Sequence, residues 1–165
     1  KILSEENDII NPIVYGQSKY LAEKIFEQSF KTISLRLSAV LGVGTHGWIS
    51  HVYKSLKANK KIEIINTNFN NFIHVNDVFS IIYSFMKDKV FYSDQFNVCC
   101  SNIIKSKKVI EIMKNSMKSK SKIVSKKNKV NFYTISNKKM LKYFKTMSVE
   151  KSILRFVKEM KNINK

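Results

Sequence analysis

The chain has 165 residues and a formal charge of +18 at pH 7, long enough for one domain with a core of its own. Apolar residues make up 44% and charged residues 25%, the balance of a globular protein rather than a disordered tail. The apolar runs are short and broken by polar residues, so none is a membrane-spanning helix, and the acidic opening from Lys1 to Asp8 lacks the apolar stretch of a signal peptide.

In chain order, Gly16 to Phe30 predicts a helix, with Leu21, Ala22, Ile25, Phe26 and Ser29 as its core-facing stripe. Thr32 to Leu41 reads as one strand, ending at a turn that holds Gly42, Gly44 and Gly47, three of the chain's four glycines. A helix over Trp48–Asn59 and a short strand over Lys61–Ile65 follow, then a polar loop at Asn66–Asn71 and an extended Phe72–Val75. Asp77 is expected to cap a helix reaching Lys87, with Val78, Ile81, Ile82 and Phe85 inward. Phe96–Cys100 predicts a strand. Ser106 is expected to cap a helix with Val109, Ile110, Met113 and Met117 inward. Lys118–Lys129 is rich in lysine and serine, with a weak strand at Ile123–Val124. Ser136 opens a short helix to Phe144, and Ser148 opens the last, with Glu150 in its first turn. The alternation indicates an α/β fold.

The only two cysteines, Cys99 and Cys100, are adjacent. In a strand they point to opposite faces, which suits neither a disulfide framework nor a metal site. They read as buried small hydrophobes in a reducing, cytoplasmic setting. Among 30 basic residues only Arg36 and Arg155 are arginine. Base-edge and bidentate phosphate readers favour arginine, so the charge reads as solvated lysine surface, with weak adhesion to polyanions and no specific nucleic-acid site.

Tyr15 and Lys19 stand one turn apart near the start of the first helix, a spacing that suits proton transfer at a hydroxyl or carbonyl. The bare spacing recurs at Tyr20/Lys24, Tyr53/Lys57 and Tyr83/Lys87, and on its own it also describes a surface tyrosine and lysine on a capped helix. The other pairs are expected to pack their tyrosine and snorkel their lysine. Only Tyr15 sits within the string P-x-x-Y-G-x-S-K-x-x-A-E, from Pro12 to Glu23. A free phenol has a pKa of about 10, and lowering it to about 7 takes roughly 4 kcal/mol. A positive charge about 4 Å away provides roughly that at an effective dielectric near 20.

That string resembles the active-site helix of the extended short-chain dehydrogenases/reductases, the NAD-dependent epimerase/dehydratase family. Ser34 to Gly44 (S-L-R-L-S-A-V-L-G-V-G) is similar to the family's strand beside the nicotinamide, Asn68 to Val78 (N-F-N-N-F-I-H-V-N-D-V) to its substrate-side segment, and Ser136 to Met160 to its closing pair of helices. The resemblance implies the C-terminal part of a Rossmann-like fold with its small substrate-binding lobe, acting on a nucleotide sugar or related sugar with NAD or NADP. It makes Tyr15 the general acid/base and Lys19 the residue that lowers its pKa and holds the nicotinamide ribose. Ser38 and Ala39 would line the cofactor side, and Asn70 and His74 the substrate side; no metal is implied. Residues 1–60 would end the Rossmann-like domain, and 61–165 would be mostly substrate lobe with elements returning to the main sheet. The complete protein is expected to homodimerise.

Three departures follow. The family often carries a diphosphate-binding asparagine where Ala39 stands, and an arginine where Asn70 stands, so the usual clamp is weakened or built differently; some sugar reductases share the N-N. His74 also reads as a packed strand residue, Asp77 as a helix cap, and the two asparagines as a plain turn. The glycine-rich phosphate loop, its acidic partner and the serine or threonine that the family places roughly 20 to 30 residues before the tyrosine are absent from the sequence, Ser4 being too close to Tyr15 for that role. The dinucleotide-binding N-terminal half is thus expected to lie outside it, leaving the chain by itself inactive. The competing expectation is an inactive basic fragment that binds polyanions or a partner chain.

Overall fold

The computed structural model describes residues 2–9, 12–87, 93–126 and 133–163. Its elements are β1 (Ile2–Leu3), α1 (Val14–Ser29), β2 (Ile33–Leu37), β3 (Ala39–Leu41), α2 (Trp48–Lys57), β4 (Ile62–Ile65), β5 (Asn68–Phe69) and β6 (Phe72–His74). They continue with α3 (Val75–Lys87), β7 (Asp94–Val98), β8 (Ile104–Lys105), α4 (Ser106–Met117), β9 (Ile123–Lys126), β10 (Thr134–Ile135) and α5 (Val149–Ile163). Pairing is parallel for β1 with β10, β2 with β7, β3 with β6 and β4 with β9, and antiparallel for β5 with β8. None of the described helices is long and apolar enough to cross a membrane.

The strand expected over 32–41 breaks at Ser38, whose N–H and hydroxyl both donate to Val98 O, at 3.0 and 2.9 Å. Beyond that break the partner changes from β7 to β6. Alternation along β2 and β7 then sorts their side chains by face. Ile33, Leu35, Phe96 and Val98 pack with Val78, Ile81 and Phe85 of α3 and with Met140. The opposite face holds Ser34, Arg36, Gln95 and Asn97 and is polar. A second core joins Val52 and Leu56 of α2, Ile62 and Ile64 of β4, Ile110 and Met113 of α4, and Ile153 and Phe156 of α5. Each such side chain stabilises the fold by roughly 1.5–3 kcal/mol.

Several expectations are corrected here. Leu21, Ile25 and Phe26 do not face a core: they are 60, 61 and 54% exposed, and α1 buries no residue at all. The physical reason lies in the strands, whose α1-facing side is polar and receives the helix's glutamates instead. Ile82 is exposed. Asp77 lies in the first turn of α3, and its Oδ2 accepts Met147 N–H at 2.7 Å. Ser106 begins α4 without capping it. Its hydroxyl accepts Thr67 N–H and donates to Ile65 O, both at 3.0 Å, tying the helix to the loop after β4. Cys99 and Cys100 follow β7 rather than end it, and both are buried. The loop at 66–71 contains β5, and only Met140–Lys142 is helical, as a 3-10 turn, in the span from Ser136. The inward stripe of α4 is as expected, with Val109, Ile110 and Met113 buried and Met117 against them.

Candidate active site

A cavity of about 860 Å³ opens where β3 ends. Ala39 and Leu41 form one wall, the start of α2 at Gly47 and Trp48 a second, and Phe69, Asn71 and Phe72 a third. The turn from Gly42 makes this possible. Thr45 Oγ1 accepts Gly42 N–H at 2.9 Å and donates to Val40 O at 3.0 Å. A Cβ on Gly42 would stand 3.0 Å from Val75 Cγ1, so the turn and the β6–α3 junction approach too closely for a side chain. Gly47 has φ of 93°, a left-handed backbone that favours glycine. It leads into α2 with no side-chain cap and no acidic residue in the first turn, leaving the free N–H groups of that helix end facing an anion's preferred position. Glu63 and Lys126 pair at the rim; Lys126, then Lys61, holds the Glu63 carboxyl down at about 2.

Tyr15 is the second residue of α1 and 70% exposed, with Lys19 exposed beside it and its Nζ 5.5 Å from the phenol ring centre. Ser18 Oγ donates to Tyr15 O at 2.8 Å, and Gly16 sits against Pro12, where a Cβ would lie 3.1 Å from the proline's own Cβ. The other three pairs differ. Lys24 lies 5.6 Å from the Tyr20 ring but bonds Glu27 at 2.8 Å. Tyr53 is buried against the edge of Phe156. Tyr83 is exposed and stacks on Phe79 instead of packing inward.

Two polar pins fix where α1 lies along the strands. Arg36 grips Glu23 with Nη2–Oε1 at 2.6 Å and Nε–Oε2 at 3.1 Å, and Gln95 donates to Glu27. Gln95 pairs with Ser34 in the ladder, so the helix runs antiparallel to β2. Tyr15 stands about 12 Å before Glu23 along the helix axis, a distance that roughly four strand residues span. Measured from Arg36, that carries Tyr15 toward the β3 end of the strands; it is not among the residues that line the cavity.

The remaining expected residues are placed as follows. Ala39 lines the cavity, and Ser38 is bonded to Val98 O. Asn70 is 2% exposed and brackets Ile135, accepting its N–H at 3.1 Å and donating to its carbonyl at 2.7 Å. His74 is fully buried. Its Nδ1 accepts Asn76 N–H at 3.2 Å, so the proton sits on Nε2 and is donated to Glu159 Oε2 at 3.2 Å. Asn71, rather than the expected Asn70, lines the cavity. Its Nδ2 donates to Tyr133 O, and its Oδ1 is the one buried side-chain polar atom without a partner among the described residues. Burial pushes the Asp77 carboxyl up, against the hydrogen bond from Met147 N–H.

No family model and no curated protein sequence matches the chain. Solved structures do. A dTDP-4-dehydrorhamnose reductase ortholog from Clostridium acetobutylicum superposes with a TM-score of 0.81 at 12% identity, over 98% of this chain and 60% of its own. The RMD protein of Pseudomonas aeruginosa, complexed with NADPH, gives 0.78 at 18% identity, over 96% and 60%. A UDP-glucose 4-epimerase from Thermotoga maritima, with UDP-glucose, gives 0.75 at 16% identity, over 99% and 64%. The chain has the extended short-chain dehydrogenase/reductase fold. It spans about 60% of the length of the first two of these structures. The 42–48 turn, α1 and β6 thus belong to a fold whose solved members include sugar-nucleotide reductases and epimerases.

Proposed function

We propose that this chain supplies the acid/base helix and the sugar-nucleotide cleft of an NAD(P)-dependent epimerase, dehydratase or reductase. What supports this reading is the antiparallel run of α1 on β2, held by the Glu23 and Glu27 pins, which carries Tyr15 toward the end of the strands where the cavity opens. Its phenol exchanges a proton with the reacting sugar hydroxyl or carbonyl. The Lys19 ammonium stabilises the phenolate and holds the nicotinamide ribose. The uncapped start of α2 receives the negative charge of the substrate's phosphates. Ser38 and Ala39 form the floor between cofactor and sugar, and Asn71 takes the wall position expected of Asn70. The nicotinamide end fits what the chain presents, an exposed phenol and ammonium on one helix face. When bound, the cofactor would supply a hydride acceptor or donor. Residues 1–60 and 61–165 divide the work into a catalytic edge and a substrate lobe.

Replacing Tyr15 by phenylalanine in the intact protein should lower turnover by about 10²–10⁴-fold, the usual reach of a general acid/base, with cofactor binding nearly unchanged. Wild-type turnover in that variant overturns the reading. The charge of +18 favours a second reading, a polyanion-adhesive module. That one requires nucleic-acid binding that collapses between low and moderate salt, with no response to UDP-glucose.

A further inference from the structure

We propose that Arg36 is a positioning residue, whose two-pronged hold on Glu23 sets how far Tyr15 reaches along β2 and β3 toward the cavity. The inference rests on reading Tyr15 and Lys19 as the acid/base pair. Its starting point is the mounting of α1. A helix normally keys into a sheet through interdigitated apolar side chains, but α1 buries none of its residues. Its apolar stripe, Leu21, Ile25 and Phe26, faces away from the strands. What seats it on them is the pair of polar pins, one turn apart: Glu23 on Arg36 and Glu27 on Gln95. Two pins fix both height and rotation. One alone is a pivot.

The Arg36 pin is braced. Its Nη1 donates to Glu5 O at 3.3 Å, and Glu5 Oε1 accepts the N–H of Asn97 at 2.7 Å. Asn97 is the ladder partner of Arg36, so the guanidinium and its brace return to a single rung of the sheet. The choice of residue agrees with this. In a chain with 30 basic residues, arginine appears only twice, and here the planar fork meets both carboxylate oxygens of Glu23. Lysine, a single point charge, cannot fix an angle in that way. The lever is long: Tyr15 lies about 12 Å from the pin, so a small tilt at Glu23 displaces the phenol by a large fraction of a bond length. Misplacement by about 1 Å can cost as much as 10²-fold in rate.

The test uses the 165-residue chain with spin labels on cysteines introduced as Gln17→Cys and Lys151→Cys, both exposed, and the distance between them read by pulsed dipolar resonance. The unmodified Arg36 background is expected to give one narrow distribution. R36M should broaden it or move it by several ångströms, and R36K should do the same despite keeping the charge. The reversed pair R36E/E23R should narrow it again, which a merely structural residue has no reason to do. If R36M does not fold, E23Q probes the same fork from the helix side, with α4 and α5 amide protection as the control. In the intact enzyme R36K should lower kcat with KM held. An unchanged distribution in R36M or E23Q, a wild-type distribution in R36K, or an unchanged kcat overturns the proposal. The label distances report the mounting whether or not Tyr15 does chemistry, so a failure of the acid/base reading shows separately, in the turnover of the Tyr15→Phe variant.

Discussion

Asn70 does with one amide what a neighbouring strand does with its backbone: it accepts the N–H and donates to the carbonyl of a single residue, Ile135. Its Nδ2 also reaches Cys99 Sγ at 3.3 Å, in a buried setting. Removing that amide leaves buried groups without partners, each costing about 1–3 kcal/mol. Asn70→Ala should therefore destabilise the chain by about 2–4 kcal/mol in urea unfolding, and Asn70→Asp, which keeps an acceptor, by less. A variant with wild-type stability would mean that Ile135 finds other partners. The thiols offer a second test. Burial pushes both Cys99 and Cys100 up to about 12, so almost no thiolate is present near neutral pH. Neither should react with a disulfide reagent until the chain unfolds, and fast labelling of the native state would contradict their placement. That these two are small buried groups was readable from their adjacency within an expected strand. That Asn70 turns inward while Asn71 meets the cavity was not, because two adjacent asparagines carry the same chemistry and only the β6 register assigns their faces.

For the elements, α1 is the least firmly seated helix, and pH should show it. The hydrogen bond from Lys24, then that from Gln95, holds the Glu27 carboxyl below its ordinary value of 4.5. A carboxyl lowered in the folded state adds stability above its unfolded value, and that stability is lost as pH falls through the folded one. Acidifying from pH 6 to below 4 should therefore release α1 amides to exchange before those of α4 and α5. Simultaneous loss across the three helices would show that α1 is held by something other than its glutamates. The end of α4 makes a different point. Lys118 has φ of 53° and ψ of 34°, a left-handed cap that glycine occupies without strain. Lys118→Gly should raise stability by about 0.5–1 kcal/mol, read as a higher melting temperature. The stripe of α4 was legible because both its neighbours, α2 and α5, are apolar. The stripe of α1 was misread because helical periodicity tells which residues share a face and not what that face meets.

Over the whole molecule, the described surface carries apolar side chains on two helices at once: Leu21, Ile25 and Phe30 on or next to α1, and Phe79, Tyr83 and Met86 on α3, each more than half exposed. Patches of this kind mark association surfaces, while +18 of net charge opposes association. Salt decides between them, since the Debye length falls from about 30 Å at 0.01 M to about 10 Å at 0.1 M. The chain should sediment as a smaller species at 10 mM salt and associate at 300 mM, with Ile25→Lys weakening that association. A monomer at both concentrations would mean that the exposed stripes are not adhesive. At this scale, the sequence by itself determined the α/β alternation, most helix spans, the glycine turn and the string around Tyr15. Each depends on spacing and on residue types whose local chemistry is the same in any context. Only the tertiary structure decided that α1 sits with its glutamates on a polar strand face, that it runs antiparallel to β2, and that Asn71 rather than Asn70 meets the cavity. Those outcomes depend on strand register and on contacts between residues far apart in the chain, and no local pattern encodes where a distant strand will lie.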